Sequence, residues 1–241
     1  MPWRARSASV VLATVLTAAA FLGACRASVD DNSQSQQAPV VGENGLPQPR
    51  KIIIAFLGDS ITAGLGLTSL QAYPAQIEQL FHAEGYQDVE VMNAGVTGDT
   101  TAGGRQRLEQ LYSPEIRILV VALGGNDALR GLSTTQTRDN LAAIIDAARE
   151  HGLAVLLAGM QAPTNYGEDY QLNFRSVFSQ LARDYRRQIS YVPFLLEGVA
   201  GLPALNQEDG IHPNAEGQKI IAQHLYPSLR DLVDQVPQPA Q

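Results

Sequence analysis

After Lys51, short uninterrupted apolar runs alternate with longer amphipathic stretches, and this alternation limits the chain to very few folds. The first run, residues 52–57, ends at Gly58, and such a run is typical of a strand buried on both faces. Similar runs predict strands at residues 89–92, 116–123, 153–158 and, more weakly, 189–192. Helical patterns lie between and after them, at residues 74–84, 101–111, 135–150, 169–187 and 214–233.

Strands that alternate with helices predict an α/β fold, in which helices cover both faces of a parallel sheet. In such a sheet a ligand binds beyond the carboxyl ends of the strands, at the point where the strand order reverses. If the order is 2-1-3-4-5, the first and third strands flank that reversal.

Four polar blocks that contain glycine fall where this rule puts a site. GDSIT (58–62) follows the first strand, GDT (98–100) follows the second and GGND (124–127) follows the third, while DGIHP (209–213) precedes the last helix. We therefore expect the four blocks to meet at one edge of the sheet. Ser60 and Asn126 are then expected to face one crevice.

The first block also has a plainer interpretation, as a turn in which Asp59 or Ser60 caps the next helix. It is not a G-x-S-x-G nucleophile elbow. A phosphate loop at Gly58, Gly64 and Gly66 is disfavoured, because the spacing is not G-x-G-x-x-G and no lysine follows. The carboxylate beside the serine would also repel an anion.

The second and third blocks can likewise be turns, with Asp99 or Thr100 capping one helix and Asp127 capping another. Each also offers a hydrogen-bond donor. Gly98 allows close approach of the backbone, so that its N–H can reach a ligand oxygen. Asn126 presents a side-chain amide at the end of a strand.

DGIHP is the most selective of the four blocks, because a turn followed by a helix explains every residue except His212. With Asp209 three residues earlier, one ring nitrogen can be held by the carboxylate while the other takes up a proton. The remaining histidines have no such neighbours and are predicted to be surface or capping residues: His82, His151 and His224. No His, Cys and carboxylate grouping has zinc-like spacing, so the sequence indicates no metal.

Composition sets the class of protein and excludes some partners. The 241 residues, 45% of them hydrophobic, suffice for one domain with a sizeable core. The formal net charge of −7 leaves no basic footprint for nucleic acid and disfavours anionic polymers as substrates.

The ends of the chain are predicted to lie outside that domain. Residues 1–25 combine Arg4 and Arg6 with an uncharged run, as in a secretory signal, and their end resembles a lipobox in which Cys25 would be lipidated. Soluble release after cleavage near residues 18–20 is the alternative. As the sole cysteine, Cys25 permits no intramolecular disulfide. We assign residues 26–50 to a flexible linker, 51–235 to the domain and 236–241 to a disordered tail.

The motifs GDSITAG, NAGVTGDTT, LGGNDALRG, APTNYG and DGIHPN together resemble the SGNH, or GDSL, hydrolase superfamily. Within it they are similar to a bacterial periplasmic group of thioesterases, lysophospholipases and arylesterases. The resemblance implies a three-layer α/β/α sandwich with about five parallel strands, and no cofactor. It implies Ser60 as nucleophile, with Asp209 and His212 completing a triad. The implied oxyanion donors are the N–H groups of Ser60 and Gly98 and the Asn126 amide.

This resemblance implies a small acyl ester or thioester as substrate, and we expect a monomer. Leu129, Leu132 and Tyr166 are candidates for the wall of an acyl channel, although ordinary loop packing explains them equally well. A carbohydrate acetylesterase of the same superfamily is one alternative. A non-catalytic envelope-binding module that keeps the motifs as turns is another. The signal segment implies a periplasmic or membrane-tethered protein.

Overall fold

The structure is a computed structural model that describes residues 51–236. The predicted signal segment with Cys25, the predicted linker and residues 237–241 lie outside the described residues. Val236 corrects one boundary: the sequence assigned it to the tail, but it is buried and its N–H donates to Leu232 O at 3.0 Å. It therefore belongs to the core of the domain. No helix among residues 51–236 has the length and apolar content to cross a bilayer.

Five parallel strands form one sheet in the order β2-β1-β3-β4-β5, which confirms the predicted order. Their bounds lie close to the predicted ones: β1 Ile52–Gly58, β2 Val89–Gly95, β3 Ile116–Ala122, β4 Ala154–Ala158 and β5 Ser190–Val192. In β1, Gly58 pairs with Gly95 of the edge strand β2 on one side and with Ala122 of β3 on the other. These strands therefore end at one level, and the segments that follow them begin side by side.

Seven α-helices lie within the described residues: α1 Ser60–Ala63, α2 Tyr73–Ala83, α3 Thr101–Arg107, α4 Gly125–Leu129, α5 Thr134–Glu150, α6 Glu168–Asp184 and α7 Ala215–Gln235. The sequence predicted the long ones. It predicted caps beside α1 and α4 but no bounds for them, because helices of four and five residues show no periodicity. The predicted helix at residues 101–111 divides into α3 and a 3₁₀ turn at Leu108–Leu111.

Helices pack on both faces of the sheet, as a continuous apolar strand requires. Phe56 and Leu57, neighbours in β1, are both fully buried. The ring of Phe56 meets that of Tyr73 in α2 edge to face, with centroids 5.5 Å apart. Leu57 lies instead below α3, where a side chain at Gly104 would contact it. Because successive strand residues face opposite ways, α2 and α3 cover opposite faces.

Candidate active site

The turn after β1 places Ser60 at the start of α1. Oδ1 of Asp59 accepts the Ile61 N–H at 3.0 Å and so caps this helix, which confirms one of the two predicted caps. A side chain at Gly58 would collide with Thr62, so glycine is needed for α1 to fold back over the strand end. As the first helical residue, Ser60 has an N–H without an acceptor inside the helix.

A continuous chain of hydrogen bonds joins Ser60 to Asp209 through His212. The Ser60 Oγ lies 2.8 Å from Nε2 of His212, and Nδ1 of His212 lies 2.6 Å from Oδ2 of Asp209. The other carboxylate oxygen of Asp209 accepts the backbone N–H groups of Ile211 and His212, each at 3.0 Å. These N–H groups and the imidazole lower the pKa of Asp209 to about 2.

The loop that carries His212 is fixed by bonds to its surroundings. Gln207 N–H donates to the carbonyl of His212 at 2.8 Å. The amide of Gln207 donates to Leu65 O at 2.7 Å and to Pro213 O at 3.1 Å. Because Leu65 lies two residues after the end of α1, these bonds hold the imidazole opposite Ser60.

Three donors face the cleft beside Ser60. The N–H groups of Ser60 and Gly98 have no hydrogen-bond acceptor within residues 51–236. Gly98 has φ +80°, a left-handed conformation that glycine adopts without strain. Nδ2 of Asn126 donates to Asp99 O at 2.9 Å and to Oδ2 of Asp59 at a longer 3.3 Å.

Arg107 binds the ends of two strands and the loop after the second. Its Nε donates to Oδ2 of Asp99 at 2.7 Å. One terminal nitrogen donates to Ala94 O at 2.7 Å and the other to Gly58 O at 2.9 Å. The guanidinium therefore connects the segment before Ser60 to the loop that carries Gly98.

The expectation that Asp127 caps its own helix is wrong. Gly124 is the residue before α4, and Asp127 lies inside that helix, only 2% exposed. Its carboxylate accepts the N–H and the hydroxyl of Thr101 at 2.9 and 2.6 Å, and the hydroxyl of Thr137 at 3.3 Å. It thus ties α4 to the start of α3. Thr100 caps α3 through its side chain, which confirms one of the two predicted caps there.

Asp59 is the buried carboxyl of the site, with 3% of its surface exposed. Burial raises the pKa of this carboxyl to about 6, although the Ile61 N–H and the nearby His212 act in the opposite direction. The two aspartates next to the serine and the histidine are thus shifted in opposite directions. Asp209 stays ionised well into acid, while Asp59 takes up a proton in mild acid.

A cleft of about 650 Å³ opens over Ser60 and His212. Its apolar wall includes Leu129, as predicted, together with Leu65 and Ile211, and all three are more than 40% exposed. Leu132 and Tyr166 do not line it, which corrects the predicted acyl channel.

Leu132 and Tyr166 stay out of the cleft because they pack within and against the loop after α4. The Tyr166 hydroxyl donates to Leu129 O at 3.0 Å, and its ring lies against Gly131. The carbonyl of Leu132 accepts the hydroxyl of Tyr170 at 2.9 Å. Tyr166 and Leu132 therefore support the segment that carries Leu129.

The other three histidines each bond a backbone carbonyl and lie away from the cleft. His151 is exposed and follows the last residue of α5, as predicted. His82 and His224 are half-buried and reach Val89 O and Phe194 O, at 2.9 and 3.1 Å. Across residues 51–236, no group of three or more His, Cys, Asp or Glu side chains is placed to hold a metal ion.

The sequence did not predict the supporting roles of three side chains. Arg107 and Asp99 form an ion pair, and Asp127 ties α4 to α3. A polar side chain inside a helix normally faces solvent, so Arg107 carried no signal of its own. The glycine pair at Gly103 and Gly104 was the available clue. A side chain at Gly103 would collide with the Asp99 carboxylate, and one at Gly104 would collide with Leu123.

A serine hydrogen-bonded to a histidine–aspartate pair, at the carboxyl edge of a parallel sheet, defines a serine hydrolase. The chain belongs to the GDSL-like lipase/acylhydrolase family, whose model matches residues 56–220. It is thus a serine ester hydrolase, as the sequence resemblance implied.

Named relatives agree with this class. The chain is 43% identical over 181 residues to esterase TesA of Pseudomonas aeruginosa, an alignment that covers 75% of this chain and 89% of the relative. It is 34% identical over 182 residues to thioesterase 1/protease 1/lysophospholipase L1 of Escherichia coli K12, with 75% and 85% covered.

A solved structure supports the fold. The psychrotrophic esterase EstA from Pseudoalteromonas sp., inhibited by monoethylphosphonate, matches with a TM-score of 0.69 and 29% identity. The match covers 76% of this chain and 99% of EstA.

Proposed function

We propose that the protein hydrolyses small acyl esters and thioesters through an acyl-enzyme on Ser60. The observation that carries this proposal is the 2.8 Å contact between the Ser60 Oγ and Nε2 of His212. A serine hydroxyl attacks a carbonyl only when a base removes its proton, and this contact supplies the base.

Asp209 has the role of holding the imidazole in its working form. Its carboxylate, ionised because of its low pKa, accepts from Nδ1 of His212 and leaves Nε2 free to take the serine proton. When the proton arrives, the same carboxylate stabilises the resulting imidazolium. The imidazolium then donates that proton to the leaving alcohol or thiol.

Charge that develops on the carbonyl oxygen is bound by three donors. The N–H groups of Ser60 and Gly98 are already unpaired within the described residues, so they need no rearrangement. Asn126 keeps its shorter bond to Asp99 O and exchanges its 3.3 Å bond to Asp59 for the oxyanion. Water then attacks the acyl carbon while His212 removes its proton. The bond to the Ser60 Oγ breaks, the imidazolium returns the proton to that oxygen, and the acyl group leaves as a carboxylic acid.

The cleft wall favours acyl chains longer than acetyl. Leu129, Leu65 and Ile211 present apolar surface beside Ser60. Each methylene that they cover contributes about 0.8 kcal/mol, so kcat/KM should rise along a series of p-nitrophenyl esters from acetate upward. A maximum at acetate would instead favour the carbohydrate acetylesterase.

The test of the catalytic assignment is Ser60→Ala. We expect no turnover of a p-nitrophenyl ester, with the melting temperature retained. Ser69→Ala is the matched control, because Ser69 is exposed and outside the cleft. Wild-type rates in Ser60→Ala would refute the proposal.

A fluorophosphonate probe separates an enzyme from a binding module. An activated Ser60 should react with the probe and gain its mass, and the Ser60→Ala protein should not. The monoethylphosphonate that inhibited EstA belongs to the same chemical class. No labelling of the folded wild-type protein would favour the non-catalytic module.

We also propose that residues 1–25 direct export across the inner membrane and that Cys25 becomes the lipidated first residue. Support comes from the basic start, the uncharged run and the small residues before the cysteine. Mass analysis of the mature amino terminus should find an acylated cysteine. An unmodified terminus near residue 20 would show soluble release instead.

A further inference from the structure

We propose that Arg107 is a positioning residue that sets the spacing of all three oxyanion donors, an inference that rests on the proposed function. Its guanidinium lies behind the site, away from the reacting atoms. It makes three charge-assisted bonds, at 2.7, 2.7 and 2.9 Å, to three different segments.

Two of those bonds control the backbone donors. Gly58 O, which accepts from one terminal nitrogen, lies two residues before Ser60 and fixes the turn that presents its N–H. The Asp99 carboxylate, which accepts from Nε, belongs to the residue next to Gly98. The third bond, to Ala94 O, anchors the start of the same loop.

The third donor is reached through Asp99. The carbonyl of Asp99 accepts from Nδ2 of Asn126 at 2.9 Å, while its carboxylate holds Arg107. Movement of Asp99 would therefore displace the Gly98 N–H and the Asn126 amide together. Gly103 leaves room for this arrangement, since a side chain there would collide with the Asp99 carboxylate.

The chemistry of arginine suits this position, and that of lysine does not. A guanidinium offers five N–H groups in a rigid plane, whereas an ammonium is a compact point charge. The side chains of Arg107 and Asp99 are 17% and 10% exposed, so solvent can replace few of these bonds. Because Asp99 neutralises the guanidinium, Arg107 contributes geometry here more than net charge.

Oxyanion donors act only when they lie about 2.7–3.1 Å from the developing charge. A misplacement of about 1 Å can cost about 10²-fold in rate. Since Arg107 touches no part of the cleft that binds substrate, its loss should leave KM nearly unchanged. We expect Arg107→Lys to lower kcat by about 10–100-fold.

The experiment compares Arg107→Lys with Arg105→Lys on a p-nitrophenyl ester, in the full-length protein. Arg105 lies in the same helix, but it is exposed, and its one side-chain hydrogen bond within residues 51–236 is a 3.4 Å bond to Asn140. We expect Arg105→Lys to keep wild-type kcat and KM. A kcat of Arg107→Lys within twofold of wild type would overturn the inference, and so would an equal loss in both variants.

Two further measurements exclude a merely structural effect. In Arg107→Ala, millimolar guanidinium chloride should restore part of kcat, while sodium chloride and urea should not. In the double variant Arg107→Lys/Asn126→Ala, the combined loss should be smaller than the product of the single losses, because both changes act on the same donor. The inference would be overturned if guanidinium restored no kcat and the loss in the double variant equalled the product of the two single losses.

If the Arg107 variants do not fold, Asp99→Asn decides the question. It keeps the carbonyl that holds Asn126 and weakens only the ion pair, so the same loss confined to kcat is expected. Unchanged kcat would overturn the inference. Ser60→Ala, assayed in parallel, keeps the two hypotheses apart: activity in that variant refutes the proposed function, whereas a normal Arg107→Lys refutes only the positioning role.

Discussion

The two sides of the cleft are built differently. On the side of proton transfer, the Asp209 side chain is 46% exposed, and its partners lie within three residues along one loop. On the side of the oxyanion, Asp99 and Arg107 are largely buried and join segments up to 49 residues apart. Substitutions on the exposed side should therefore lower activity far more than stability, whereas those on the buried side should lower both.

The largest effect is expected on the exposed side. Among residues 51–236, His212 is the only side-chain base hydrogen-bonded to the Ser60 Oγ, so His212→Ala should lower kcat by roughly 10⁴–10⁶-fold. Because the ring is held by a loop outside the core, the melting temperature should stay close to that of the wild type. Ester hydrolysis and thermal unfolding of one preparation test both parts.

His151→Ala is the control, because this histidine is exposed and far from the cleft. It should leave kcat unchanged. If His212→Ala lowered kcat by less than tenfold, another group would have to take the serine proton. Proton transfer could then no longer be assigned to the exposed side of the cleft.

A smaller loss is expected for Asn126→Ala on the buried side. It removes one oxyanion donor of three, which typically costs about 10²–10³ in kcat. KM should change little, because the amide binds charge that exists only in the transition state. Unlike His212→Ala, it should also lower the melting temperature, since the bonds to Asp99 and Asp59 are lost.

Steady-state kinetics and thermal unfolding of Asn126→Ala check these effects. Asn140→Ala is a suitable control, because Asn140 is a half-buried amide that bonds the Thr101 hydroxyl at 3.2 Å outside the cleft. A rise in KM without loss of kcat would mean that Asn126 binds substrate instead of stabilising charge.

The activity should also fall in acid, because the proposed base, His212, accepts a proton only in its neutral form. An imidazolium cannot accept the serine proton, so kcat/KM should decrease about tenfold per pH unit once His212 is protonated. Asp209 adds nothing in this range, because its pKa of about 2 keeps it ionised. A kcat/KM that does not fall at all from neutral to acidic pH would contradict the role of His212 as the base.

The difference between local contacts on the exposed side and long-range contacts on the buried side explains which parts of the site could be predicted from the sequence. The hydrogen-bonded pair of Asp209 and His212 was predicted because the two residues are close in the chain, and the sheet order followed from five apolar runs. The support of the oxyanion side was not found, because Arg107 meets carbonyls at Gly58 and Ala94 that no local pattern connects to it. Leu132 and Tyr166 were misplaced for a similar reason: an apolar residue near a motif does not reveal which way its loop packs.

The smallest expected effect concerns the free energy of unfolding. At neutral pH, the charge of Asp59 on the buried side should destabilise the fold, and the charge of Asp209 on the exposed side should stabilise it. The Asp59 carboxyl ionises near pH 3.8 in the unfolded chain and at about 6 in the fold. The unfolded chain thus loses its proton first as pH rises, so this group destabilises the fold increasingly between those values. Asp59→Asn keeps the helix cap but gives up the 3.3 Å bond from Asn126. Relative to its effect near pH 4, it should stabilise the protein by up to about 3 kcal/mol more above pH 6.

Asp209→Asn should show the reverse pH dependence. The folded pKa of Asp209, about 2, lies below its ordinary value of 3.8, so its carboxylate stabilises the fold at neutral pH. That contribution disappears as pH falls through about 2. Melting temperatures of both variants from about pH 2 to 8, with the exposed Asp139→Asn as control, measure the two trends. Parallel trends, or an Asp59→Asn effect no more stabilising at about pH 8 than near pH 4, would mean that the burial of Asp59 does not oppose its charge.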